Sequence, residues 1–216
     1  YQRSIQNAPV INTEDHIHVN GSKIYTDEIN DYAIQAMWEG AIHGRSYSDI
    51  WLWERHDGSN PSQSFRGNIS YRPDTLAGIG RATHDMNRLS YELVALQDEK
   101  ADVALLYSDA TAIYTKEFGN SVLQAYTGIM YAGKKTLIVT EDIIEKLQDY
   151  KALVIPRVLN AKESTVNAVA EFIRNGGKVF IIDGNSLKYS EYGKPHNAEV
   201  IDYIYSNSDV IDEVKF

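Results

Sequence analysis

Ala152 to Asp183 reads ALVIPRVLNAKESTVNAVAEFIRNGGKVFIID. Two short, almost purely apolar runs, ALVIP and KVFIID, flank a segment, AKESTVNAVAEFIRNGG, whose apolar residues recur at helical spacing. Gly176-Gly177 supplies a strong helix stop before the second run. A strand that is apolar on both sides is buried on both faces. Two such strands joined by a helix imply a parallel pair with a crossover connection.

Working outward, the same texture repeats. VALLYS (103–108) and TLIVT (136–140) are further β-branched apolar runs. YTKEFGNSVLQAYTGIMYAG separates them as a helix, and EDIIEKLQDY fills the next gap as a short one. Residues 100–216 therefore read as a doubly wound parallel α/β domain. Its last piece, NAEVIDYIYSNSDVIDEV, reads as a helix. Ser108-Asp109 follows the first strand, where ligands of such sheets bind. No Gly-rich phosphate loop is present there, so a nucleotide is not expected and a structural or assembly role is.

Before residue 100 the pattern is βα again, with a different content. Val10 to Asp15 reads as a strand, and Ile29, Tyr32, Ala33, Ala36, Met37 and Ala41 give a helical stripe that stops at His43-Gly44. SDIWLWE (48–54) reads as a second strand, and a helix from Pro73-Asp74 to about Asp98 closes the segment. The polar stretch between Glu54 and Pro73 is long for a loop in a compact domain, which marks it as functional or disordered.

Composition narrows the function classes. A net charge of -9 argues against nucleic acid, which needs clustered Lys and Arg. No apolar run approaches the roughly 18 residues of a membrane span. With no cysteine, disulfides, thiolate metal sites and cysteine nucleophiles are excluded, and the compartment is left open. The chain opens at Tyr1 without an initiator Met, so upstream targeting information is not expected to be legible in it.

The chemistry concentrates in APVINTEDHIHVN (8–20), where an apolar strand runs directly into Glu14, Asp15, His16 and His18. Side chains alternate along a strand, so Val10, Asn12, Glu14 and His16 share one face, and Asp15 lies on the other in a structural role. In a βα barrel, catalytic groups sit at the C-terminal ends of strands, and Glu14 falls there. Trp51, Trp53 and Arg55 share a face of the second strand and arrive at the same rim. A carboxylate beside an indole suits a sugar site, because the indole stacks on the pyranose C–H face. The plainer readings are a rim carboxylate satisfied by Arg55, and a packed Trp51. Glu14, His16 and His18 are also compatible with a metal-dependent hydrolase, although no further ligand stands at a diagnostic spacing.

PVINTED, HG at Gly44, IWLWER and RGNISYRPD, followed by a long helix, resemble the end of the catalytic barrel in clan A glycoside hydrolases, most closely the family 42 β-galactosidases. ADVALLYS, Tyr131-Ala132-Gly133, LVIP and GGKVFIID resemble the flavodoxin-like trimerisation domain that follows the barrel there, itself similar to a glutamine amidotransferase without its nucleophile. The resemblance implies that residues 1–99 are the last two βα units of a TIM-type barrel and 100–216 the assembly domain. It implies a retaining glycosidase with Glu14 as nucleophile and Trp53 as sugar floor, with His16 and Arg55 as further substrate-binding residues. It implies no cofactor or metal, a carbohydrate substrate, and a homo-oligomer, a trimer in the family, or association with the missing N-terminal barrel portion. The family's acid/base glutamate would precede Tyr1, so the chain by itself is expected to be inactive. Ser64-Phe65-Arg66-Gly67 stands where the family's later rim residues would be and does not reproduce them. The alternative is a non-catalytic flavodoxin-like assembly or binding module.

Overall fold

The computed structural model describes residues 2–6, 8–17, 28–51, 69 and 72–212. The chain divides into two compact units: Asn7–Glu99, and Lys100–Phe216 together with Tyr1–Gln6.

A short helix, α1 (Gln2–Ile5), belongs to the second unit. The first unit is built from β1 (Val10–Asp15), α2 (Glu28–Ile42), β2 (Arg45–Ile50), α3 (Pro73–Arg88) and α4 (Ser90–Asp98). β1 and β2 pair in parallel, so the described part contains a β-α-β unit followed by two helices. Its small core joins Ala33 and Met37 of α2 to Ala82 of α3 and to Ile17, with Trp38, Ile50 and Ile79 packed against it. Ala33 and Met37 of the helical stripe read from the sequence thus face α3, whereas Tyr32 of the same stripe is exposed. Gly78 permits the close approach, because a Cβ there would lie 2.7 Å from the Asn30 carbonyl oxygen. Gly44, at φ 92°, ends α2 in a conformation that costs glycine little.

Two boundaries differ from the sequence reading. The second strand runs from Arg45 to Ile50, leaving Trp51 just past its end. The long helix breaks at Leu89 (φ -102°, ψ 22°), dividing α3 from α4. The apolar stripe of α3 finds α2, whereas α4 buries no residue, so packing does not hold the two parts in line.

The second unit is a five-stranded parallel sheet, formed by β3 (Val103–Tyr107), β4 (Thr136–Thr140), β5 (Ala152–Pro156), β6 (Lys178–Ile182) and β7 (Asp209–Ile211). Its order is β4-β3-β5-β6-β7, the 2-1-3-4-5 arrangement of flavodoxin-like folds. α5 (Asp109–Tyr114) and α6 (Phe118–Tyr131) follow β3. A 3-10 segment, Glu141–Asp149, stands where a short helix was read after β4. α7 (Glu163–Arg174) and α8 (Ala198–Ser206) complete the crossovers.

Alternation along the strands builds two cores. Ala104, Leu106, Leu153, Ile155, Val179 and Ile181 face α7 and α8, meeting Val169, Phe172 and Ile204. Leu105, Val154, Ile138 and Ile182 face the other way, toward Ala125 and Ile129 of α6. Gly177 has no side chain because the Phe172 ring occupies that space, 2.3 Å from where a Cβ would be. On the α6 side a cavity of about 730 Å³ stays open, lined by Val154, Phe180, Val210 and Ile211 among others.

The C-terminal piece was read as one helix and is instead α8 followed by β7. Asn197 caps the start of α8 through its side chain, and Asp209–Ile211 pair with Phe180–Ile182. The exposed edge of β6 offers backbone partners that a longer helix could not use. α1 attaches to the opposite edge, where Ser4 Oγ accepts the Ile138 N–H at 3.0 Å.

Candidate functional site

The end of β1 is shaped by a register shift. Asn12 pairs with Ser48 and Asp15 with Ile50, so one more residue is spent on β1 than on β2. Such a bulge breaks strict alternation and re-aims side chains. Asp15 is turned inward. Its carboxylate is bound by the Arg45 guanidinium, which also donates to the Ala36 carbonyl of α2 at 2.9 Å. Both partners are largely buried, and Gly40 leaves the space in which the guanidinium lies. Asp15 is therefore structural, as its place in the pattern suggested. Its partner Arg45, 30 residues away, was not legible.

Glu14 and His16 turn to each other. His16 Nε2 lies 3.0 Å from Glu14 Oε1, with side-chain exposures of 38% and 59%. An ionised carboxylate only accepts, so the imidazole donates this bond from Nε2. The His16 ring leans on Trp51, with centroids 6.1 Å apart and planes 32° from parallel. Trp51 is itself anchored, its N–H donating to the Asp15 carbonyl at 3.0 Å. The structure thus gathers Glu14, His16 and Trp51 at one strand end. Trp53, Arg55, Arg66 and His18 lie outside the described residues. Among the described residues, no group of three or more metal-ligating side chains is clustered.

The second unit has its own strand-end carboxylate. Glu141, directly after β4, is 5% exposed. Its Oε1 accepts the Lys162 N–H at 2.6 Å and the Thr165 hydroxyl at 3.1 Å, and its Oε2 lies 3.0 Å from Ser108 Oγ. Ser108 also contacts the Asn160 carbonyl at 2.7 Å and accepts the Thr111 N–H as the cap of α5. The crevice beyond β3, β4 and β5, where a doubly wound sheet usually binds ligands, is filled by groups that satisfy one another. Sequence reasoning placed Ser108 there but missed Glu141, which it had assigned to an ordinary helix start.

No protein-family model and no curated protein sequence matches this chain. Among solved structures the fold is similar to the apo exo-carrageenase GH42 from Bacteroides ovatus (TM-score 0.80, 22% identity), covering 99% of this chain and 30% of that one. It is also similar to GH42 β-galactosidases from G. stearothermophilus (TM-score 0.67, 18% identity, 90% of this chain and 30% of the other) and from Bacillus circulans sp. alkalophilus (TM-score 0.64, 16% identity, 91% and 30%). The chain spans about 30% of the length of these structures. The likeness is one of fold, and it covers nearly the whole chain.

Proposed function

We propose that this chain is the C-terminal portion of a retaining glycoside hydrolase of the family 42 type, acting on β-galactosides or related glycosides. The observation that carries the reading is the exposed Glu14 carboxylate at the C-terminal end of a parallel strand, in a chain whose fold matches family 42 structures from end to end. On this reading β1 and β2 with their helices are the last two βα units of the barrel, since a parallel pair of this kind closes only with further strands.

Glu14 attacks the anomeric carbon as the glycosidic C–O bond breaks, giving a glycosyl ester. Water then hydrolyses the ester and returns the carboxylate. The proton for the leaving oxygen comes from a second carboxyl group, roughly 5–5.5 Å away, supplied by the rest of the barrel. Trp53 floors the sugar subsite and Arg55 contacts substrate at its edge, both by resemblance. This double displacement uses only carboxyl groups and water, so no cofactor or metal is required. The second unit serves assembly, as a trimerisation domain or as the seat of the remaining barrel portion. Its saturated polar crevice supports that role over ligand binding.

The test is made on the complete enzyme with chromogenic β-glycosides. Glu14→Gln is expected to lower kcat/KM by about 10⁴-fold or more, as loss of a nucleophile does. Full retention of activity would end the assignment. The alternative, a non-catalytic assembly module, predicts no turnover of any glycoside by the complete polypeptide.

A further inference from the structure

We propose that His16 is a positioning residue for the Glu14 carboxylate, acting on release of the sugar rather than on substrate binding. The inference rests on Glu14 being the nucleophile and goes further, because it reassigns a residue first read as a sugar contact.

The geometry points to this role through a chain of contacts that starts away from the site. Ala36 of α2 holds the Arg45 guanidinium, Arg45 holds the Asp15 carboxylate, and the Asp15 carbonyl holds the backbone N–H of Trp51. The Trp51 ring supports the His16 ring, and His16 Nε2 meets Glu14 Oε1 at 3.0 Å. Each link but one is a hydrogen bond or ion pair, and the remaining one is a ring contact. The backbone that carries the indole is thus fixed, and the indole lies beside the imidazole that meets the carboxylate. Occupying Oε1 fixes the rotation of the carboxyl group and leaves Oε2 as the oxygen that attacks.

The same bond treats the two chemical steps differently. In the free enzyme Glu14 is an anion, and the N–H···O⁻ bond is charge-assisted. In the glycosyl ester that charge is gone and the bond is weaker. When water attacks the anomeric carbon, the C–O bond to Glu14 breaks, its electron pair returns to the carboxylate, and the strong bond to His16 re-forms. The donor thus stabilises the departing carboxylate, so losing it slows ester hydrolysis and lets the glycosyl-enzyme accumulate.

The experiment uses the complete enzyme and two variants. His16→Phe keeps a ring for Trp51 and removes the donor, and His16→Gln restores an N–H near the same place. For His16→Phe, kcat is expected to fall about ten-fold, the scale of one charge-assisted bond, with KM falling in parallel. Mass spectra of enzyme quenched at steady state would show the sugar adduct, and a digest would place it on the Glu14 peptide. His16→Gln is expected to recover most of kcat. Unchanged constants in His16→Phe would overturn the proposal, as would a raised KM at constant kcat, which marks a direct substrate contact. Trapping the wild-type enzyme with an activated 2-deoxy-2-fluoro-β-galactoside separates the two levels. A label on Glu14 with an unaffected His16→Phe variant rejects this inference alone, whereas a label on another residue rejects the nucleophile assignment as well.

Discussion

Two glutamates stand at equivalent places in the two units, each at the C-terminal end of a parallel strand, and meet opposite fates. Glu14 is 59% exposed and meets one imidazole, while Glu141 is 5% exposed and its two oxygens meet three donor groups. A carboxylate saturated by backbone and hydroxyl groups is a staple that ties strand ends together. One left open to solvent can reach an electrophile. The surroundings follow the same division. The five-stranded sheet of the second unit carries a core on each face, whereas Ile11 and Tyr47 of the two-stranded sheet are 55% and 56% exposed. Strand-end position makes a carboxylate available for chemistry, and what the rest of the fold brings to it decides whether it is used.

The sharpest way to break this contrast compares two apolar truncations. Leu153→Ala, at a fully buried site, is expected to cost the second unit about 2–5 kcal/mol in chemical denaturation. Ile11→Ala should leave the first unit of this chain almost unchanged. All three tryptophans lie in that unit, so indole fluorescence follows it selectively. A large loss from Ile11→Ala would mean that this face is covered after all.

Glu141→Leu tests the staple. It strands the Lys162 N–H and the Thr165 hydroxyl, while Ser108 keeps the Asn160 carbonyl, and it should destabilise the second unit by about 1–3 kcal/mol in urea unfolding. A neutral result would remove the contrast with Glu14. Gly78→Ala probes the first unit's closest contact, where the new methyl meets backbone rather than a yielding side chain. A loss of about 1–2 kcal/mol, read from the fluorescence midpoint, is expected.

The smallest effect is confined to alkaline pH. Burial, reinforced by the charge of Asp183, pushes Tyr205 up to about 12, and its hydroxyl donates to the Ser186 carbonyl at 2.8 Å. The unfolded chain releases that proton near pH 10, while the folded state keeps it until about 12. Stability from this group is therefore complete below pH 10 and is lost as pH rises toward 12. Tyr205→Phe should flatten that part of the stability profile of the second unit, measured by urea midpoints from pH 8 to 11.5.

Much of this architecture is legible in one dimension. VALLY, TLIVT, ALVIP and KVFII announce themselves because strands buried on both faces must be apolar at every position. β7 does not, since Asp209–Ile211 is short, half-exposed, and a strand only because the β6 edge is there to pair with it. The break at Leu89 carries no proline or glycine, and beyond it α4 buries no residue, although its Gln97 side chain donates to the Ala41 carbonyl of α2 at 2.7 Å. At the site, the period of two put Glu14 and His16 on one face in the sequence reading, and the structure brings them within 3.0 Å. The register shift after Asn12 and the clamp between Asp15 and Arg45 came from long-range pairing and had no local signature.

The sequence by itself determined most of the elements, their parallel α/β arrangement and the strand end that carries the carboxylate, because periodicity and turn chemistry act between near neighbours. Only the tertiary structure decided which carboxylate is sealed and which is open, and which aromatic ring supports the imidazole. Burial and hydrogen-bond saturation depend on groups tens of residues apart in the chain, and those meet only when the sheets have formed.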